Sequence, residues 1–143
     1  MKRILKRLFA SMLAICMISS LLCVGASARS SDYLDSYRAI ITPTGNKELV
    51  ITVDVDALGN MTEIGATTIY LYESSNGTSF TRIKTYSSDD YSFMLGTGRH
   101  FYEDLFTYTG VAGRQYYVKA FCYAGDSTGS DEKLYISSTV TCK

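Results

Sequence analysis

The chain has 143 residues, and its 14 Lys+Arg balance 14 Asp+Glu to a formal net charge of zero. The balance is uneven: Lys2, Arg3, Lys6 and Arg7 open the chain, and the rest carries 10 basic against 14 acidic residues, a net charge of −4. An acidic remainder with no basic cluster excludes nucleic acid as a natural partner.

The positive start is followed by an apolar run of 17 residues from Leu8 to Val24, then by the small-residue step Ala26-Ser27-Ala28. This order is that of a secretory signal peptide, with cleavage before Arg29. The alternative is an uncleaved anchor, for which the run is at the short limit. The small-residue exit favours cleavage, so residues 1–28 are read as a signal-peptide helix. No stable membrane anchor is expected after cleavage, and the remainder is expected to be secreted and extracellular.

Residues 29–36 are polar and are expected to be a lead-in to one domain over residues 37–143. All 12 tyrosines fall after the cleavage step and there is no tryptophan. Tyr, Val, Ile and Thr dominate there, which favours pleated sheet over helix. Residues 37–42 are β-prone and Pro43 is expected to end them, because proline cannot donate to a ladder. Thr44-Gly45-Asn46-Lys47 predicts a turn. In residues 48–57, Leu49, Ile51, Val53, Val55 and Ala57 alternate with polar residues, which predicts a strand buried on one face. Residues 58–66 contain Gly59-Asn60 and Gly65 and read as a loop plugged by Met61 and Ile64.

Residues 67–73 and 79–86 read as a hairpin around Asn76-Gly77. The stretch 87–100 carries no clear pattern apart from an apolar island at Tyr91, Phe93, Met94 and Leu95. Residues 101–108 predict a strand. Residues 115–124 predict a strong one, with Tyr116, Val118, Ala120, Cys122 and Ala124 facing inward. Residues 133–142 close the chain, with Leu134, Ile136, Val140 and Cys142 expected on one inward face. About seven short strands separated by turn signals predict an all-β antiparallel β-sandwich, with a small barrel as the alternative.

The segment Gly113-Arg114-Gln115-Tyr116-Tyr117-Val118-Lys119-Ala120 resembles the penultimate strand of fibronectin type III-like domains, themselves immunoglobulin-like sandwiches. The resemblance implies that Tyr116 packs at the corner between sheets. The hairpin over residues 67–86 looks like the third and fourth strands of such domains. The core tryptophan of that family is absent, and so is an Arg-Gly-Asp tripeptide. A broader resemblance rests on residues 31–46, on Met61-Thr62-Glu63-Ile64-Gly65-Ala66, on residues 69–73 and on residues 108–114. These look like a family of short, secreted bacterial proteins of Gram-positive gut bacteria, grouped as a domain of unknown function. It implies secretion and a β-sandwich, and offers no catalytic or binding residues to carry over.

Four features could carry chemistry. Cys122 and Cys142 are the only cysteines after the cleavage step. Export permits a disulfide between them, and the alternative is two buried thiols. His100 is the only histidine. It has no partner nearby in sequence, so it reads as a loop or strand-edge residue rather than a ligand or base. Asp89, Asp90, Asp126, Asp131 and Glu132 offer oxygens of the kind calcium takes. They lack the spacing of a calcium loop and also read as turn residues. Tyr117, Phe121 and Tyr123 alternate with Lys119 on one outward face, and Tyr70 and Tyr72 are expected beside them. An exposed aromatic row stacks on sugar rings or binds a peptide; alternatively it is cross-strand pairing that stabilises the sheet.

No nucleophile and base stand together in the sequence, and no catalytic, cofactor or metal site is expected. The function expected is that of a non-enzymatic extracellular binding or interaction sandwich, whose partner is an extracellular polymer, glycan or protein. The alternative is a self-associating structural or matrix-type protein.

Overall fold

The computed structural model describes residues 31–143. The signal-peptide expectation for residues 1–28 lies outside the described residues, as do the first two residues of the lead-in. The described regular elements are seven strands, β1 (Leu34–Gly45), β2 (Glu48–Ser74), β3 (Thr81–Ser87), β4 (Leu95–Thr109), β5 (Gln115–Asp126), β6 (Gly129–Ile136) and β7 (Val140–Thr141), with one short 3-10 turn at Ser92–Met94. Every strand pairing is antiparallel, and all seven strands belong to one connected sheet. The expected all-β antiparallel class therefore holds.

β2 organises the molecule. Its first half lies between β1 and β4, and its second half lies between β3 and β5. The loop expected over residues 58–66 is not a loop: the chain stays extended through it as part of β2. Glycine and asparagine there mark irregular pairing rather than a stop, with register shifts between Asp56 and Met61 and between Met61 and Ile64. Met61 and Ile64 are buried, as their expected role as a plug requires. Gly65 has φ +146°, and a Cβ on it would lie 2.2 Å from the Met94 carbonyl oxygen. Only glycine lets the segment after the 3-10 turn approach the strand this closely.

The turns follow from local chemistry. Asn46 (φ 50°) and Lys47 (φ 64°) form the two-residue loop between β1 and β2, a geometry that demands left-handed backbone at both positions. Lys47 is held there by the Lys143 carbonyl on its N–H (2.9 Å) and the Gly110 N–H on its carbonyl (2.7 Å). Pro43 does not end β1, which continues to Gly45; β1 is an edge strand, where proline is tolerated. The lead-in is shorter than expected, since β1 begins at Leu34, which is buried. The Asn76-Gly77 hairpin is wider than a two-residue turn, with pairing reaching only Glu73 and Thr81. Asn76 Oδ1 accepts the N–H groups of Thr78 (3.0 Å) and Ser79 (2.9 Å) across that loop.

The interior is built from the alternating faces read in the sequence. Leu49, Ile51, Val53 and Val55 from β2, and Tyr116, Val118, Ala120, Cys122 and Ala124 from β5, are fully buried. The last strand departs from expectation. Residues 133–142 split into β6 and β7, and Leu134 and Ile136 point to solvent, 46% and 53% exposed. The cause is the turn: Asp126 pairs with Gly129, which puts Leu134 opposite Phe121 and Ile136 opposite Lys119 on the outer face. Ser137 then interrupts the strand by bonding the backbone N–H and carbonyl of Val118 (2.9 Å each). The phase resets after it, and Cys142 turns inward.

Candidate functional site

The first half of β2 turns Asp54 and Asp56 outward, on the face opposite Val53 and Val55. β1 and β4 flank it, so each of these carboxylates has a cross-strand neighbour on both sides. Ser36 and His100 lie opposite Asp56, while Arg38 and Tyr102 lie opposite Asp54. His100 Nδ1 is 2.7 Å from Asp56 Oδ1 and 4.0 Å from Asp54 Oδ1. Ser36 donates its hydroxyl to Asp56 Oδ2 at 2.9 Å. Arg38 reaches Asp54 Oδ2 at 2.7 Å. The Tyr102 ring stacks on His100 at 6.4 Å. The His100 hydrogen bond, assisted by Ser36, holds the Asp56 carboxyl below the usual carboxylate range.

His100 is exposed on the edge strand β4, as a strand-edge residue with no partner nearby in sequence would be, and its partners Asp54 and Asp56 come from β2. The residues sequence reasoning missed are Asp54 and Asp56, and their only signal was an alternating Asp-x-Asp in a strand. The order of contacts limits the chemistry. The carboxylate stands between the hydroxyl and the imidazole, so the only base on the Ser36 oxygen is the Asp56 carboxylate, weakened by its lowered pKa, and Ser36 is not activated as in a serine–histidine pair. One ligand atom each from Asp54, Asp56 and His100 lie within 4.8 Å of one another, a mixed oxygen and nitrogen set that suits a divalent transition metal.

The other expected sites fall out separately. Tyr72 and Tyr117 stack at 4.8 Å, Tyr70 and Phe121 meet edge to face at 6.0 Å, and Phe80 joins Tyr117 at 4.9 Å. Arg82 lies over the Tyr70 ring and Lys119 over the Tyr72 ring. The row is therefore assembled, but Tyr117 and Lys119 between them occupy the ring of Tyr72. These are the contacts of a cross-strand ladder. Tyr123 is not part of it and leans over Gly125, where an added Cβ would meet its hydroxyl at 2.6 Å.

Cys122 and Cys142 are both free and buried, so the disulfide is not formed. The Cys142 N–H donates to the carbonyl of Arg114, just before β5 and eight positions along the chain from Cys122, roughly 26 Å at the rise of a strand. A disulfide spans only about 7 Å between Cα atoms. Burial pushes the Cys122 thiol up to about 12, which makes it unreactive.

The acidic loop residues do not converge either. Asp126 caps its own turn through the Thr128 N–H (2.7 Å) and hydroxyl (2.6 Å). Asp131 instead ties down the start of the described chain, accepting the Asp32 N–H (2.7 Å), the Tyr33 N–H (2.9 Å) and the Ser31 hydroxyl (2.5 Å). Asp89 and Asp90 lie in the exposed turn before the 3-10 segment.

No family model matches the chain, and no curated protein matches it. Among solved structures it is similar to a family 76 glycoside hydrolase from a bovine Bacteroides thetaiotaomicron strain, at 17% identity and a TM-score of 0.31, over 78% of this chain and 21% of that one. The chain thus spans about a fifth of the enzyme it matches. That solved protein is an enzyme, and the expectation of a non-enzymatic binding module, with its matrix-type alternative, is taken no further. The TM-score is too low for the likeness to carry an argument, and it assigns no activity in its place.

Proposed function

We propose that this is an extracellular protein whose working site is a divalent-cation centre formed by Asp54, Asp56 and His100. One observation carries the reading: two adjacent antiparallel strands bring three ligand atoms within 4.8 Å on one outward face. An imidazole beside two carboxylates selects a transition metal such as Zn2+ over Ca2+ or Mg2+, which prefer oxygen-only sets. The open side of the cluster would leave coordination positions for water. Ser36 would hold the outer oxygen of Asp56, the kind of outer support that orients metal ligands. Arg38 competes with the ion for Asp54.

We read the curled sheet as a fibronectin type III-like sandwich, one layer holding β1, the first half of β2 and β4, the other holding β3, the second half of β2, β5 and β6. Supporting this are the partner switch along β2 and the hydrogen bond that Tyr116 accepts from the Val111 N–H at 2.8 Å, the bond a tyrosine corner makes. The resemblance to short, secreted proteins of Gram-positive gut bacteria supports an extracellular location.

Calorimetric titration tests the site. Zn2+ is expected to bind one per chain, with affinity falling on acidification because metal and protons compete for the ligand atoms. His100→Ala and Asp56→Asn should each weaken binding by at least about tenfold. Arg38→Gln, which frees Asp54, should tighten it. Affinity unchanged in all three variants would remove the site.

A further inference from the structure

We propose that the outer edge of β4 is a strand-addition site for an extended segment of a partner protein, one that carries a lysine or arginine between apolar residues. Among the described residues β4 pairs with β2 alone, so its other edge presents backbone donors and acceptors that no strand uses. Such an edge is a template for another chain.

A cavity of about 650 Å3 lies along it, lined by every residue from His100 to Leu105. Successive strand residues face opposite sides, so a cavity lined by six consecutive ones looks at the strand's edge rather than at either face. Its chemistry is specific. Phe101, Glu103 and Leu105 share the inward phase, and Glu103 pairs with fully buried Val53. Phe101 and Leu105 are buried, yet Glu103 between them is exposed. The interior therefore opens under this edge, with an apolar floor and one carboxylate above it. Asp104 adds a second acid to the wall, and Phe93 and Tyr102, both about half exposed, flank it. A lysine or arginine fits this combination, laying its aliphatic stem on Phe101 and Leu105 and its charge on Glu103. His100 belongs to both this edge and the cation centre, but the inference rests on Phe101, Glu103 and Leu105 and needs no bound ion.

Fluorescence anisotropy with a labelled, capped octapeptide of alternating Lys and Val tests it, alongside the Glu–Val analogue and an N-methylated Lys–Val analogue. The Lys–Val peptide is expected to bind, the Glu–Val peptide to bind at least about tenfold more weakly, and N-methylation to abolish binding by removing the ladder hydrogen bonds. Glu103→Gln should weaken the Lys–Val peptide roughly fivefold and leave the melting temperature unchanged. Amide chemical shifts should move along residues 97–105. Absence of binding, equal binding of all three peptides, shift changes confined to β3 or β6, or pairing of two copies of the chain through this edge in place of peptide binding would each overturn the proposal.

Discussion

Tyr116 shows how much one side chain can organise. Its ring is fully buried, and its hydroxyl accepts the Val111 N–H (2.8 Å) and donates to Glu73 Oε2 (2.5 Å). Arg114 donates to the other oxygen of the same carboxylate. Burial and the neighbouring Glu73 push the Tyr116 hydroxyl up to about 12, so it stays a donor at any physiological pH. In turn the Tyr116 hydrogen bond, with Arg114, holds Glu73 below its ordinary value. Tyr116→Phe keeps the packing and removes the oxygen, leaving the Val111 N–H without an acceptor and Glu73 with one donor fewer. The expected loss is about 1–3 kcal/mol, read as a lower urea midpoint with an unchanged slope. An unchanged midpoint would mean that water replaces the hydroxyl without cost.

At the level of elements, β2 decides the architecture. A strand that runs from Glu48 to Ser74 and changes partners midway needs a point where a neighbour can come close, and Gly65 is that point. Gly65→Ala drives a methyl into the Met94 carbonyl, at a φ of +146° that alanine rarely adopts. A loss of at least about 2 kcal/mol is expected. Gly59→Ala, whose nearest neighbour would be Met61 Cε at an ordinary 3.5 Å, should be near neutral in the same thermal melts. Equal effects from the two would show that close approach at Gly65 is not what holds the bend. β6 makes the complementary point. A turn two residues wide fixed its register and turned Leu134 and Ile136 to water, against their hydropathy, because register outranks side-chain preference once a tight hairpin is closed.

For the molecule as a whole, acid is the informative variable. Hydrogen bonds lower the carboxyl values of Asp56, Glu73, Asp126 and Asp131. When the folded value lies below the unfolded one, the unfolded chain binds protons first, so stability is present above the unfolded value and is lost as pH falls through the folded one. The melting temperature is therefore expected to hold steady from neutrality down to about pH 5, then to fall below the ordinary values of 4.5 for glutamate and 3.8 for aspartate. Asp131→Asn releases the Ser31 and Tyr33 anchor. It should lower the melting temperature at pH 7 and flatten the acid limb, while a limb of unchanged slope would place the acid sensitivity elsewhere.

The sequence by itself determined the class and most of the interior. Alternation in residues 48–57 and 115–124 marked the buried faces of β2 and β5, because a strand's period is local and needs no partner to be read. Asn46 and Lys47 were placed in a turn for the same reason. What only the tertiary structure decided was everything set by pairing. Residues 61–66 became strand because β4 and β5 pair with them. Cys122 and Cys142 were kept apart by the register of the last strands. Asp54 and Asp56, separated from His100 by more than forty residues, met it because β4 lies against β2. A cluster assembled across two strands has no spacing in the chain to betray it, since cross-strand neighbours are chosen by register and register is a property of the folded sheet.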